Sequence, residues 1–365
     1  MNKEIHLFII WSKAKNKYEE IIKDIKTKFD IIGIHDVIWN KDIFSKNLTR
    51  FYGENLPANS NKEKHCGSGP FTLIVVCDDN PIYKFRKTSK GLKLVNVNVF
   101  DSKEMYRNWT GGGHKIHATN DCNESSHDLI MLTGYSIDDY VKKAKSHDIQ
   151  KNITQMPGEN GWESINKILY ILNSTVNYIV LRNFEEMIYL NDKNIHGDID
   201  LLTDDYRQLR FILNATPVYK SKSRVRHMVT VNGREVYFDL RFVGDNYYCE
   251  KWEVDLLENR VFDERGFFKA SDENYIYSLL YHALIHKKEI SPDYMVIFNT
   301  YFGDIDLKNK QVLDNILLSY LVKNKYHMTE PDDFSVYFNK RITKKNMSFC
   351  KFIRKVLFKI YTYCL

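Results

Sequence analysis

The residues with the clearest chemical potential are Asp198 and Asp200, within His196-Gly197-Asp198-Ile199-Asp200, and Asp239, within Val236-Tyr237-Phe238-Asp239-Leu240-Arg241-Phe242. On an extended strand residues i and i+2 share a face, so Asp198 and Asp200 project together while Ile199 and Leu201 take the opposite side. Two carboxylates on one face invite a hard cation, Mg²⁺ or Mn²⁺, which takes one or two protein carboxylates and fills its shell with water and phosphate oxygens. Asp239, flanked by apolar residues on a later strand, supplies a third carboxylate. Such a cluster suits phosphoryl or nucleotidyl transfer, because charge builds on the phosphate and on the attacking oxygen. Asp239 is the natural general base, and Arg182 and Arg241 offer planar forks for phosphate. His282 and His286 stand at i and i+4 on a later helix. That spacing permits metal binding, but no glutamate stands between them, and a tyrosine-rich helix more often packs such residues into a core.

These residues need strands and helices to hold them. Ile5–Trp11 is apolar and β-branched, Asn16–Phe29 repeats apolar residues at helical spacing, and Asp30–Trp39 returns to strand character, which predicts a βαβ opening. Gly69-Pro70 punctuates a clear strand over 71–79, a polar stretch runs on to Gly113, and 114–134 reads as a short strand, a loop and a helix. Pro157, Gly158 and Gly161 mark a linker near 150–160. Beyond it the pattern predicts a helix over 162–173, strands at 176–183 and 197–203, a helix over 204–215, a strand pair at 227–243 and a helix over 272–288. The fold class expected is α+β in two domains, 1–150 and 160–335, with a basic amphipathic helix over 340–365.

Two resemblances follow from these segments. An apolar strand, then Gly-Asp-Ile-Asp-Leu-Leu, then an aspartate in a second apolar strand resembles the DNA polymerase beta-like nucleotidyltransferase superfamily over about 160–300. It implies a mixed-sheet domain, Mg²⁺ or Mn²⁺ at Asp198, Asp200 and Asp239, and a nucleotide or nucleotide-activated donor. The family's Gly-Ser phosphate grip is replaced here by Leu181-Arg182-Asn183-Phe184-Glu185-Glu186-Met187. The segment His114-Lys115-Ile116-His117-Ala118-Thr119, with the helix entered after it, resembles the active-site signature of nucleoside diphosphate kinases over 4–134. It implies a ferredoxin-like fold, a phosphate-carrying histidine at His117 with Thr119 near its supporting hydroxyl, phosphate contacts from Lys103 and Arg107, and oligomerisation through this domain. The family's orienting glutamate falls at Leu129, so the resemblance implies a domain that is not an active kinase.

At 365 residues, with 43% hydrophobic and 27% charged, the composition is that of a folded globular chain and excludes disorder. The six cysteines are scattered without a CxxC pair, so neither a zinc site nor a disulfide framework is expected, and a reducing cytosol fits. No signal peptide and no membrane-spanning run are expected. The net charge of +6 is concentrated at the end: 340–365 carries eight Lys or Arg and no acid. That segment reads as a cationic helix for an anionic membrane surface on the inner face of the cell membrane, and nucleic acid is not the expected partner. The expected function is a Mg²⁺-dependent transferase passing a nucleotidyl or substituted phosphoryl group to an acceptor, by analogy a lipid-linked surface glycan. The alternatives are a toxin-like nucleotidyltransferase acting on protein or RNA, and a catalytically dead binding module.

Overall fold

The computed structural model describes residues 3–89, 91–184, 198–221, 223–303 and 309–340. His196, Gly197, residues 185–187 and the basic segment 341–365 lie outside the described residues. The chain divides into two compact units, one of 1–176 with 207–215 and 229–235, the other of 177–206, 216–228 and the remainder from 236.

The first unit opens β1 (Glu4–Ile10), α1 (Tyr18–Lys28), β2 (Asp30–Val37), α2 (Phe44–Tyr52), α3 (Asn61–Cys66) and β3 (Phe71–Asp78). It continues with β4 (Tyr83–Thr88), β5 (Gly91–Asn96), α4 (Val97–Trp109), β6 (Ile116–Ala118), α5 (Cys122–Thr133), α6 (Ile137–Lys145), β7 (Asn152–Ile153) and α7 (Ile165–Leu172). Its main sheet has the order β6-β1-β3-β2-β7. β3 lies antiparallel between β1 and β2, so the expected βαβ opening is a split one, with β3 inserted between its parallel strands. Every residue of β3 is buried, as the apolar run Leu73–Cys77 requires of a central strand.

On α1, Ile21, Ile22 and Ile25 fall on one buried stripe and meet Phe8 and Ile10 of β1. Glu19 and Glu20 occupy its first turn and Lys26 and Lys28 its last, matching the helix dipole. The strand irregularity between Ile31 and Gly33 brings Gly33 against Tyr140 Oη, in space that a Cβ would need.

The boundary expected at 150–160 falls elsewhere. Asn152 and Ile153 add an edge strand to β2, and Trp162 donates from Nε1 to Leu213 O at 2.9 Å. Proline and glycine there mark turns within the unit, not its end. Arg50, only 2% exposed, donates to the carbonyls of Phe211 (3.2 Å), Ile212 (3.0 Å) and Pro157. Burial pushes its guanidinium down to about 10, with Glu159 acting the other way. Arg50→Met should therefore cost on the order of 3 kcal/mol, since three buried carbonyls lose their donor. Urea unfolding followed by fluorescence measures it, and a loss under about 0.5 kcal/mol, the range of an ordinary surface change, would remove Arg50 from this role.

The second unit contains β8 (Tyr178–Val180) and β9 (Ile199–Thr203). Next come α8 (Tyr206–Ile212), which belongs mostly to the first unit, and β10 (Thr216–Pro217). There follow β11 (Arg226–Val231), β12 (Arg234–Phe242), α9 (Glu250–Glu258), β13 (Arg260–Asp263), β14 (Phe267–Ala270), α10 (Asp272–Ile285), α11 (Pro292–Phe302) and α12 (Lys310–Asn324). The strand order is β10-β11-β12-β9-β8-β14-β13, with parallel pairs β12/β9 and β14/β8. Asn232 and Gly233, both at positive φ, turn β11 into β12, the backbone that an Asn-Gly pair favours between two strands. Trp252, Tyr248, Tyr281, Leu280 and Leu284 gather α9 and α10 into a core rich in aromatic rings. The architecture is mixed α and β in several sheets.

Candidate functional site

Parallel pairing of β9 with β12 places Asp200 directly opposite Asp239, in a register that also opposes Leu201 to Leu240. Asp198, immediately before β9, is close enough to Asp239 and Asp200 for their charges to act on one another. The strand pattern thus brings the three predicted carboxylates to one end of one sheet. Arg182, just after β8, donates from Nη2 to Asp200 Oδ1 at 2.8 Å, and Arg226 on β11 donates from Nη2 to Asp198 Oδ1 at 2.9 Å. Arg241 pairs with Asp245 at 3.4 Å and lies 4.1 Å from the Tyr247 ring centre.

Charge in this cluster is unevenly compensated. Burial pushes the Asp200 carboxyl up to about 6, Asp239 adds to the rise, and Arg182 opposes it. Asp198 is also raised, by burial and by Asp239, against the pull of Arg226. Carboxylates that raise one another in this way gain from a divalent cation, and the all-oxygen donor set suits Mg²⁺ or Mn²⁺. By the chemistry of their donors, Asp198, Asp200 and Asp239 are the residues that would hold such an ion. Two arginines hold the carboxylates meanwhile. Among the described residues, two groups of three bring ligand atoms within 4.8 Å of one another, Glu4/His6/Cys122 and His117/Glu124/Asp128, and the aspartate cluster is not one of them. Arg182 and Arg241 are both buried, with Nη1 and Nε respectively lacking a hydrogen-bond partner, so each retains an N–H to offer.

Arg226 was not among the expected residues. No motif marks it, and its place follows only from β11 lying beside β12 in the sheet. His282 and His286 go to the core: their rings are 5.9 Å apart, His282 Nδ1 meets Tyr247 Oη at 2.5 Å, and His286 lies tilted 4.1 Å from Tyr247. Burial holds both imidazoles well below their ordinary pKa, and Arg182 adds to it.

In the first unit His117 sits on β6 opposite Ile9, framed edge-on by Phe51 and Tyr52 at 5.8 and 5.7 Å. Its Nε2 lies 2.6 Å from Asp128 Oδ2, and His127 Nδ1 lies 2.9 Å from Asp128 Oδ1. This corrects the expectation that His117 lacks an orienting carboxylate. Position 129 is a wholly buried leucine, and the residue before it on α5 takes the task. Burial opposes ionisation of Asp128, but the two histidines outweigh it, His117 foremost, and hold its pKa below the ordinary value.

Thr119 and Lys103 depart from their expected roles. Thr119 Oγ1 is buried beside His6 Nδ1 (3.0 Å) and accepts from Leu7 N (3.2 Å), so it supports His6 instead of His117. Lys103 is buried, donating to Ala118 O at 3.2 Å and Asn120 Oδ1 at 2.7 Å, and burial pushes its amine down to about 8. It ties α4 to the loop after β6. Arg107 donates to Ile116 O at 3.0 Å and to Glu104 at 2.7 Å, and stays partly exposed. Glu124 accepts from Asn120 N and Nδ2 at 2.7 and 2.6 Å, which accounts for its place near His117 as a helix-start contact.

No family model matches the chain, and no curated protein does. Among solved structures, an orthorhombic crystal form of the Aquifex aeolicus nucleoside diphosphate kinase is similar at 15% identity, over 35% of this chain and 93% of that chain, with a TM-score of 0.25. A likeness at that level adds nothing to the geometry above. No helix among the described residues is long and apolar enough to cross a membrane.

Proposed function

We propose that the second unit is a Mg²⁺-dependent transferase that passes a nucleotidyl or substituted phosphoryl group from a nucleotide or nucleotide-activated donor to an acceptor hydroxyl. The carrying observation is the register of β9 and β12, which aligns Asp200 with Asp239, with Asp198 immediately before β9. The metal, when bound, neutralises charge on the transferring phosphate and aligns it with the attacking oxygen. Asp198, Asp200 and Asp239 would hold it, the first two in place of their present arginine partners. Asp239 takes the acceptor's proton as the new P–O bond forms and the old one to the leaving phosphate breaks. The free N–H groups of Arg182 and Arg241 then serve the phosphate oxygens. A lipid-linked acceptor rests on the basic segment 341–365, outside the described residues, and gains no support from the fold.

Titration calorimetry of Mg²⁺ with each nucleoside triphosphate and with cytidine-diphosphate-activated donors tests this reading. One donor is expected to bind only with Mg²⁺, and Asp198→Asn should weaken it at least about tenfold, a loss of about 1.4 kcal/mol. Absence of metal-dependent binding for every donor, in a chain shown folded by its circular dichroism, would leave the binding-module alternative.

A second reading applies to the first unit on a separate observation, the 2.6 Å contact between His117 and Asp128. An imidazole oriented by a buried carboxylate on one nitrogen presents the other as a nucleophile. His117 as a phosphate carrier is therefore also proposed, with Arg107 as its partly exposed cation.

A further inference from the structure

Glu4 and His6 share a face of β1, and Cys122 begins α5. A carboxylate oxygen of Glu4, a ring nitrogen of His6 and Cys122 Sγ lie within 4.8 Å of one another. His6 is fully buried, whereas Cys122 is exposed and opens the group to solvent. A carboxylate oxygen, an imidazole nitrogen and a thiol sulfur converging on one point form a mixed donor set suited to a borderline-soft divalent metal and unsuited to Mg²⁺.

The surrounding hydrogen bonds decide which form His6 takes. Asn96 Oδ1 accepts from Asn98 N at 3.0 Å and its Nδ2 donates to Asp78 Oδ2 at 2.9 Å, so the amide cannot be turned round. The remaining N–H points at His6 Nε2 from 3.1 Å. Nε2 therefore carries a lone pair, and Nδ1 holds the proton toward Thr119 Oγ1 at 3.0 Å, with Ser125 Oγ at 3.2 Å. That is the orientation a metal-binding histidine needs, its second nitrogen fixed by an outer partner. Yet Glu4 Oε2 stands only 3.2 Å from Nε2, and two acceptors facing each other ask for a cation between them.

We propose that Glu4, His6 and Cys122 bind a divalent metal ion of the zinc class, with a fourth position open to water or to Tyr83 Oη, which donates to Glu4 at 2.9 Å and lies 3.9 Å from Cys122 Sγ. Binding releases the Cys122 thiol proton and takes over the lone pair that Asn96 contacts. The ligands come from β1 and the start of α5, far apart in the sequence, which is why no metal-binding spacing announces them.

The full chain, stripped with chelator, should take one equivalent of Co²⁺ with a thiolate-to-cobalt charge-transfer absorption. Zn²⁺ should displace that signal and excess Mg²⁺ should not. Cys122→Ser, at an exposed position that leaves the fold intact, should abolish the absorption, while Asp200→Asn in the other unit retains it. Glu4→Gln should weaken Co²⁺ at least about tenfold. An absence of the charge-transfer band in the wild type, or a band undiminished by Cys122→Ser, overturns the proposal.

Discussion

Asp200→Asn is expected to lower transfer by on the order of 10³-fold, several kcal/mol of transition-state stabilisation, while the chain remains folded. The side chain keeps its size, and its amide oxygen can still accept from Arg182, but the charge that would hold the proposed metal is gone. A pH signature distinguishes loss of this charge from general damage. The folded-state pKa of Asp200 is about 6, above the ordinary aspartate value, so the folded state prefers the protonated carboxyl. Its contribution to stability is fully present below about pH 4 and is lost as pH rises through about 6. In the wild type without divalent metal, Tm should therefore carry a decline between pH 4 and 7 that Asp200→Asn lacks. Mg²⁺ should restore wild-type Tm most at pH 7, where the carboxylate is ionised, and should do little for the variant. Equal Mg²⁺ responses in the two proteins would place the metal elsewhere.

The contrast between the two units shows what sequence pattern can carry. Asp198, Asp200 and Asp239 were legible because strand periodicity assigns faces: an aspartate two residues from another, and a third in an apolar strand, need only a shared register to meet. The pairing itself, Asp239 opposite Asp200, required tertiary structure. Arg226 was invisible because its role depends on β11 lying beside β12. Asp128 was missed by one position. A family pattern fixes the orienting carboxylate by counting, but the geometry only asks that an acid on α5 face His117, and the helix presents position 128 where 129 turns into the core. Lys103 failed for another reason. Charge in a sequence suggests a ligand, whereas burial gave this amine two oxygen acceptors inside the fold. The hairpin of β4 and β5 also escaped, since its mixture of lysines and exposed Phe85, Leu92 and Leu94 has no single buried face to produce a readable alternation.

Asp128→Ala should be among the most damaging single changes in the first unit. Asp128 is 4% exposed and holds both His117 and His127, so its removal leaves two imidazoles without their acceptor. Breaking a buried pair of this kind costs about 3–5 kcal/mol. Because the folded-state pKa of Asp128 lies below the ordinary aspartate value, its contribution is present above about pH 4 and disappears as pH falls through the depressed folded value. The wild type should thus lose stability on acidification where Asp128→Asn loses less, a difference opposite in sign to that of Asp200→Asn. Asp128→Asn also separates orientation from folding. It can accept from one histidine but sets an amide N–H₂ against the other, and if His117 carries phosphate, formation of acid-labile phosphohistidine from a γ-labelled triphosphate should fall by about 10²–10⁴. Moving the acid to the family's position, Asp128→Leu with Leu129→Glu, should not rescue it, because the side chain at 129 is wholly buried and the charge would enter the core. Labelling of His117 in that double variant at the wild-type rate would show that Asp128 does not orient it.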